Sequence, residues 1–240
     1  MTHLHKQFHK HFRIERVNNP QTLAESLRLR YQVYCREKNF EDPDNFPDGM
    51  ERDSFDVRSD HSVIRHIETM QVMGSVRLVL HDRNYQASFP IERHIALDRL
   101  KKIFTYLPDR ARIGEVSRFA ISSEMRKSME GACNVRQFLY SNTVVGLISA
   151  VVRMSLDHNL THWVCLMEPS LARLLSRFGF QFKPFGPAVD INGFRKPYYA
   201  VIEEEMDRLY SEFPEIWDMV TEFGHFCPQF RTHKSLINIA

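Results

Sequence analysis

The sequence predicts a mixed α/β fold in which helices cover both faces of a sheet. Short runs rich in valine and isoleucine recur along the chain with partial alternation of apolar and polar residues, as in half-buried strands. Segments with apolar residues three or four positions apart, typical of amphipathic helices, lie before, between and after these runs. Strands that alternate with helices in this way favour a layered α/β architecture.

The length and composition favour one globular domain. The chain has 240 residues, of which 43% are hydrophobic and 12% aromatic, and this is enough to bury a sizeable core without metals or disulfides. We expect a single domain over residues 1–240. Residues 1–19 are a candidate flexible N-terminus, and residues 203–240 are a C-terminal extension with a surface helix over 203–223.

The first predicted helix covers residues 20–38, because Leu23, Leu27 and Tyr31 follow an initial proline at helical spacing. Residues 39–60 contain two prolines, a glycine and many acidic side chains, so they predict a long acidic loop. Long loops inside compact domains often carry function.

Three strands are predicted in the middle of the chain, over residues 61–68, 73–81 and 111–121. In the third run, apolar residues stand among charged ones at uneven spacing, which indicates a central strand with a local irregularity.

The second half predicts further alternation. Residues 134–158 form the longest helical pattern, and 163–167 predict a short buried strand. A helix then runs over residues 169–178 from an initial proline, Gly179 ends it, and a strand begins over 180–182.

Charge and cysteine content exclude several classes of protein. The formal net charge is +2, so the overall balance attracts neither nucleic acid nor membrane strongly. The four cysteines contain no CxxC pair, which indicates neither a zinc ribbon nor a disulfide framework and fits a reducing compartment. No apolar run is long enough to span a bilayer, and the N-terminus lacks an apolar signal segment. We therefore expect a cytoplasmic protein without a transmembrane segment or a nucleic-acid partner.

The N-terminus carries a histidine cluster: His3, His5, His9 and His11. Histidines can bind metals, but histidine-rich termini are more often solvated, and neither cysteine nor carboxylate is interleaved here to complete a ligand set. We expect no metal site.

Residues 168–180, EPSLARLLSRFGF, resemble the closing strand–helix motif of the GCN5-related N-acetyltransferase (GNAT) fold, although an ordinary helix with a glycine stop is the favoured interpretation of this run taken alone. The resemblance implies a three-layer fold with a central mixed, mostly antiparallel sheet flanked by helices.

A second resemblance rests on dispersed residues in the first helix, the acidic loop and two strands: Arg30, Tyr34, Phe40, Asp53, Asp56, Gly74, Arg77, Glu115, Arg118 and Phe119. Their order and spacing resemble the acyl-homoserine-lactone synthases over about the first half of the chain.

Several features depart from that family. Tyr34 and Phe40 stand where it usually has phenylalanine and tryptophan, and residues 186–190 and 196–199 do not fit its pattern. With residues 31–35 and 44–49, these segments resemble the N-acyl amino acid synthases linked to the bacterial PEP-CTERM/exosortase system. That resemblance implies transfer of a long-chain fatty acyl group from acyl carrier protein to the amine of a small amino-acid acceptor. It implies no permanently bound cofactor, with acyl-ACP or acyl-CoA as co-substrate.

The resemblance also implies roles for the matching residues. Glu115, Arg118 and Phe119 would be catalytic, with Glu115 as the base that takes the proton of the attacking amine. From the residues alone, Glu115 could instead form a buried ion pair with Arg118. Backbone amides over residues 119–121 would hydrogen-bond the thioester carbonyl and the phosphopantetheine arm. Cys133 and Cys165 could in principle form an acyl-enzyme, but buried small residues are the usual interpretation of such cysteines.

The implied substrate-binding residues are those of the first helix, the acidic loop and the second strand: Arg30, Tyr34, Phe40, Asp53, Asp56 and Arg77. Asp53 and Asp56 could order the first helix through Arg30 or hold the acceptor's ammonium, and Arg77 could pair with either acid or with the acceptor's carboxylate.

The phosphate-cradling loop of coenzyme-A enzymes is missing, which weakens the case for free acyl-CoA. Ile121, Arg126, Lys127 and Arg136 are the candidates for binding acyl carrier protein or its phosphopantetheine phosphate, although the basic residues could equally be a solvated turn.

Some apolar residues near the cleft could line an acyl tunnel, although most are expected to be ordinary core: Leu147, Ile148, Val152, Val164, Leu166 and Phe178. Two other functions stay open. One is an acyl-homoserine-lactone synthase that uses S-adenosylmethionine, and the other is a non-catalytic module that binds acyl carrier protein or lipid.

Overall fold

The central sheet has eight strands, as seen in a computed structural model that describes residues 1–84, 89–95, 109–124 and 133–227. The strands are β1 (Phe12–Arg16), β2 (Ser59–His66), β3 (Val72–Leu80), β4 (Ile113–Ile121), β5 (His162–Met167), β6 (Lys183–Pro184), β7 (Val189–Asp190) and β8 (Phe194–Val201). Their order is β1-β2-β3-β4-β5-β8-β6, with β7 also paired to β8. The predicted mixed, mostly antiparallel sheet is confirmed.

Among the described strands, β4 and β5 are the only parallel neighbours, and they pair over a short stretch. Residues 113–115 of β4 pair with residues 162–164 of β5, whereas β4 continues to Ile121 and β5 to Met167 without pairing to each other. The two strands therefore separate at the centre of the sheet and leave an opening.

Six helices with described bounds surround the sheet: α1 (His3–His11), α2 (Pro20–Tyr31), α3 (Cys133–Asp157), α4 (Pro169–Ser176), α5 (Ile202–Glu212) and α6 (Pro214–Thr221). A π-helical segment, Gln32–Glu37, continues α2. Helices α2 and α3 cover opposite faces, because successive strand residues point to opposite sides of a sheet. Val63 packs in the cluster that contains Leu29 of α2, and its neighbour Ile64 packs with Val144 of α3.

The N-terminus differs from the expected flexible segment, because its residues form α1 and the edge strand β1. Phe8 and Phe12 are fully buried in the main core. Gly146 of α3 makes room for this packing, since a Cβ at that position would lie 2.7 Å from the Phe8 ring. Histidines and basic residues dominate the composition of this segment, so its composition did not indicate that Phe8 and Phe12 pack in the core.

The histidine cluster meets a carboxylate from the other end of the chain. His5 Nε2 lies 2.9 Å from Glu222 Oε2, and the ligand atoms of His5, His9 and Glu222 all lie within 4.8 Å of one another. Arg153 donates a hydrogen bond to the same carboxylate. Glu222 thus serves as the counter-ion of a partly buried arginine while it holds α1 through His5.

Two predictions for the C-terminal half need correction. The strand predicted over residues 180–182 lies at Lys183–Pro184, because Phe180 is drawn into the core. The single surface helix predicted over 203–223 is two helices that meet at Phe213, and their inner faces are buried in the main core. Proline at the first position of α6 lacks the N–H needed to continue α5. Helix α4 ends at Ser176, two residues before the predicted Phe178, and Gly179 follows with φ at +91°.

No helix within the described ranges has both the length and the apolar character needed to cross a membrane.

Candidate active site

Strand β4 contains the predicted irregularity, and it is a β-bulge. Arg77 pairs with Ser117 and Ser75 pairs with Ala120, so Arg118 and Phe119 together face the single residue Val76. Arg118 has φ of +49°, a left-handed conformation that is uncommon for a residue with a side chain. Bulges bend a strand and redirect side chains, and they are frequent next to active sites. The bulge lies where β4 leaves β5.

A cavity of about 450 Å³ occupies the opening between these strands. One wall is β4 from Val116 to Phe119 with Ile121, and the opposite wall is β5 from Cys165 to Met167. Five of the predicted site residues line it: Tyr34, Phe40, Arg118, Phe119 and Ile121. Polar groups lie toward Tyr34 and Arg118, whereas α4 contributes leucines.

The cavity contains two of the six candidate acyl-tunnel residues, Ile148 and Leu166. Leu147, Val152 and Val164 are fully buried core residues, and Phe178 packs against the main core. Leu171, Leu174 and Leu175 of α4 provide an apolar wall that the sequence did not single out.

The four charged residues of the predicted substrate site form a network of ion pairs beside the cavity. Arg30 Nη1 donates to Asp56 Oδ1 at 2.6 Å, and Arg77 Nη1 donates to Asp53 Oδ1 at 2.6 Å and to Asp56 Oδ1 at 2.8 Å. Arg30 and Arg77 are both fully buried. Of the alternatives left open above, the structure contains the pairing of Asp56 with Arg30 and of Arg77 with both acids.

Glu51 joins this network to the cavity, and sequence reasoning missed it. Its buried carboxylate accepts hydrogen bonds from Arg30 Nε at 2.6 Å and from Arg118 Nη2 at 2.9 Å. Burial alone would raise the pKa of Glu51, but the two guanidinium groups hold it below its ordinary value. The only sequence signal was its place in the acidic loop, two positions before Asp53.

Arg118 reaches from the bulge over the aromatic residues of the cavity. Its guanidinium carbon lies 5.2 Å from the centre of the Tyr34 ring, and the Tyr34 and Phe40 rings are 6.4 Å apart. Burial raises the pKa of Tyr34, which keeps its hydroxyl protonated at neutral pH. Arg118 is held between an aromatic face and the Glu51 carboxylate, so its position is well defined.

Glu115 lies behind the cavity wall. Its side chain is 2% exposed, and its Oε2 accepts a hydrogen bond from the Ile91 backbone N–H at 2.9 Å. Burial raises the pKa of this carboxyl to about 8. The alternative in which Glu115 pairs with Arg118 is wrong, because the carboxylates that Arg118 contacts are those of Glu41, Glu51 and Asp53. Glu115 shares a strand face with Ser117, which lines the cavity.

The predicted carrier-binding residues are only partly described. Ile121 lines the cavity. Arg126 and Lys127 lie outside the described residues, and so does the side chain of Arg136. At the near edge of this region Glu37 accepts hydrogen bonds from the Ser122 hydroxyl at 2.7 Å and from the Ser123 backbone at 2.8 Å, which orders the end of β4.

Comparison with known proteins identifies the fold. Residues 29–133 match the model of the acetyltransferase (GNAT) domain family. The solved structure of the acyl-homoserine-lactone (AHL) synthase LasI has a TM-score of 0.51 and 23% identity, covering 79% of this chain and 88% of that one. The AHL synthase BjaI, described as CoA-dependent and solved with SAM and isopentyl-CoA, has a TM-score of 0.56 and 22% identity, covering 84% and 81%.

FeeM, an N-acyl amino acid synthase from uncultured soil microbes, has a TM-score of 0.54 and 12% identity, covering 82% of this chain and 93% of that one. No curated protein matches the sequence. At these identities the similarities establish the fold. Residues 29–133 are therefore similar to the GNAT acetyltransferase domain, and the chain shares the fold of the acyl-homoserine-lactone synthase LasI and the N-acyl amino acid synthase FeeM.

Proposed function

We propose that this protein is an N-acyltransferase that moves a long-chain fatty acyl group from the thioester of acyl carrier protein to the amine of an amino acid. The observation that carries the proposal is the cavity between β4 and β5, which is polar beside the Arg118 bulge and apolar along α4. A thioester at the junction would place its acyl chain on the leucines and its carbonyl at the bulge. The resemblance to exosortase-linked synthases and the fold shared with FeeM support the same reaction.

The reaction is a direct attack in a ternary complex. The neutral amine attacks the thioester carbonyl, a tetrahedral oxyanion forms, and the phosphopantetheine thiolate leaves and takes up a proton. Arg118 and Phe119 stand outside the β3–β4 register, so their backbone N–H groups are candidates to stabilise the oxyanion. No acyl-enzyme is needed.

Cys165 fits this direct route. It lines the cavity, but burial raises the pKa of its thiol far above the ordinary value. A protonated thiol is a poor nucleophile. Replacement of Cys165 by alanine should therefore leave turnover within about threefold, whereas an acyl-enzyme mechanism would lose it.

Glu115 is the proposed acceptor of the amine proton, reached through water beside Ser117. With a pKa of about 8, the carboxyl is mostly protonated at pH 7 and becomes a competent base as the pH approaches 8. We expect the rate of acyl transfer to rise between pH 7 and pH 8. The Glu115→Gln variant should lose most of that rate. The matched control is Glu212→Gln, which removes an exposed carboxylate on α5.

The remaining assignments complete the proposal. Tyr34 and Phe40 would contact the acceptor, and the network of Arg30, Asp53, Asp56 and Arg77 would hold Arg118 and the first helix in place. Arg126, Lys127 and Arg136 would meet the acidic carrier protein or its phosphate. We place the reaction in the cytoplasm, which agrees with the free, buried thiols of Cys35, Cys165 and Cys227.

The test supplies purified protein with palmitoyl-loaded acyl carrier protein, or with palmitoyl-CoA, and an equimolar pool of the twenty amino acids. Mass spectrometry then identifies the products. An N-acyl amino acid formed faster from the carrier protein supports the proposal and names the acceptor. An acyl lactone formed only with S-adenosylmethionine would instead identify a lactone synthase. Binding of the acyl carrier protein without any product would identify a binding module.

A further inference from the structure

Among the described residues, one cationic side chain in the cavity has no carboxylate partner. Arg195 lines the cavity beside Tyr34 and Phe40, and its Nε is buried without a hydrogen-bond acceptor among the described residues. No carboxylate of a described residue lies within 4.0 Å of the guanidinium nitrogens of Arg195. A buried donor without an acceptor destabilises the folded state, whereas a carboxylate ligand would satisfy it.

The other arginines near the cavity are already occupied. Arg30 and Arg77 are fully buried and paired with Glu51, Asp53 and Asp56. Arg118 is paired with Glu51 at 2.9 Å. The remaining cation on the cavity wall is Lys38, whose side chain is exposed at the rim.

Two contacts hold Arg195 in a defined position. Its backbone pairs with Val189 in the β7–β8 hairpin. Its guanidinium carbon lies 5.2 Å from the centre of the Phe40 ring, and Phe40 is in turn held by a hydrogen bond of 2.7 Å from its N–H to the Tyr34 carbonyl. A guanidinium stacked on an aromatic face keeps its edge free for a bidentate carboxylate.

The cavity also contains acidic side chains, which have their own donors. Glu37 accepts hydrogen bonds from Ser122 and Ser123, and Glu168 accepts one from the Ser170 hydroxyl at 3.2 Å. Arg195 also lies between residues 186–190 and 196–199, the two segments that depart from the lactone-synthase pattern. The structure gives these segments a common role, because they build the strands that present Arg195.

We infer that Arg195 is the specificity residue that binds the α-carboxylate of the acceptor and directs its amine toward the bulge at Arg118. The inference rests on the proposed N-acyl transfer and adds to it that the acceptor needs a free carboxylate. Amino-acid amides and simple amines would then be poor acceptors, because they leave the buried Nε of Arg195 without an anion to accept its hydrogen bond.

The test compares wild type, Arg195→Gln, Arg195→Lys and Arg177→Gln, the last of which removes an exposed arginine from the end of α4. The substrates are the amino acid acylated fastest by wild type and its carboxamide, with palmitoyl-loaded acyl carrier protein as donor. In Arg195→Gln, KM for the amino acid should rise by about 10- to 150-fold, the loss expected for a charge-assisted hydrogen bond. Turnover of the carboxamide should change by less than about twofold, because the amide does not use the guanidinium.

Arg195→Lys keeps the charge without the planar fork and should lose part of the affinity, and Arg177→Gln should behave as wild type. Melting temperatures within about 3 °C of wild type would show that the variants fold. Equal use of amino acid and carboxamide by wild type, or an unchanged KM in Arg195→Gln, would overturn the inference.

A binding measurement separates this inference from the proposed reaction. Calorimetry measures the binding of glycine, leucine, tyrosine and their carboxamides to the protein. It therefore tests the carboxylate site without requiring turnover. If wild type makes no product but its amino-acid binding is lost in Arg195→Gln and kept in Arg177→Gln, the reaction fails and the carboxylate site stands. If neither product nor an Arg195-dependent difference in binding is found, both fail.

Discussion

Replacing Glu115 by glutamine should make the protein more stable at alkaline pH. Below pH 4.5, the ordinary value for this group, the carboxyl is neutral in the folded and unfolded states. Between pH 4.5 and about 8 the unfolded chain loses the proton while the folded protein keeps it, so the free energy of unfolding falls as the pH rises. The full difference corresponds to about 5 kcal/mol, at 1.36 kcal/mol for each pH unit.

Glutamine stays neutral at every pH, and its amide oxygen can still accept the hydrogen bond from the Ile91 N–H. The stability advantage of Glu115→Gln should therefore grow from about 1 kcal/mol at pH 5 to about 5 kcal/mol at pH 9. Urea titrations can follow this through the fluorescence of Trp163 and Trp217, which are both buried. Parallel stability profiles for variant and wild type would refute the reasoning, and Glu212→Gln controls for removal of a charge.

Three further predictions test the ion-pair network and the N-terminus. Glu51→Gln removes the buried carboxylate that Arg30 and Arg118 share, while Asp56 still pairs with Arg30, and Glu41 and Asp53 still pair with Arg118. It should cost about 1.5–3 kcal/mol in urea titrations, and a loss below about 1 kcal/mol would contradict the pairing. Burial and nearby Arg30 lower the pKa of His61 to about 4, so its contribution to stability is complete above about pH 6.5 and falls by about 3 kcal/mol toward pH 4. His61→Gln should flatten that decline, and a curve identical to wild type would exclude the effect. Phe8→Ala should cost about 3–5 kcal/mol, whereas an unchanged melting temperature would mean that α1 does not contribute to the core.

Local sequence patterns were sufficient for most of the fold. Periodicity placed β2, β3, α3, β5 and α2 with its π-helical continuation close to their observed bounds, because helical and strand spacing reflect which face of each element is buried. The uneven spacing around Val116 and Phe119 likewise indicated the bulge, because it reflects a change in which face of the strand is buried. Each of these patterns lies within a few neighbouring residues, so it can be recognised without knowledge of the rest of the chain.

The N-terminus shows where such patterns fail. Phe8 fits into the core because Gly146, far along the chain, leaves space for its ring, and Phe12 is buried beside it. Likewise the resemblance pointed to Asp53 and Asp56 but not to Glu51, whose importance depends on two arginines reaching it from different elements.

Within the site, the residue types specify which chemical groups are available, and the folded arrangement selects which of them meet. It placed Glu115 behind the cavity wall, paired Arg118 with Glu51, 67 positions away, and left Arg195 facing the cavity. The physical reason is that the burial and partners of a charge depend on strands brought together by the sheet. The number of residues between two charges in the sequence does not give the distance between them in the folded protein.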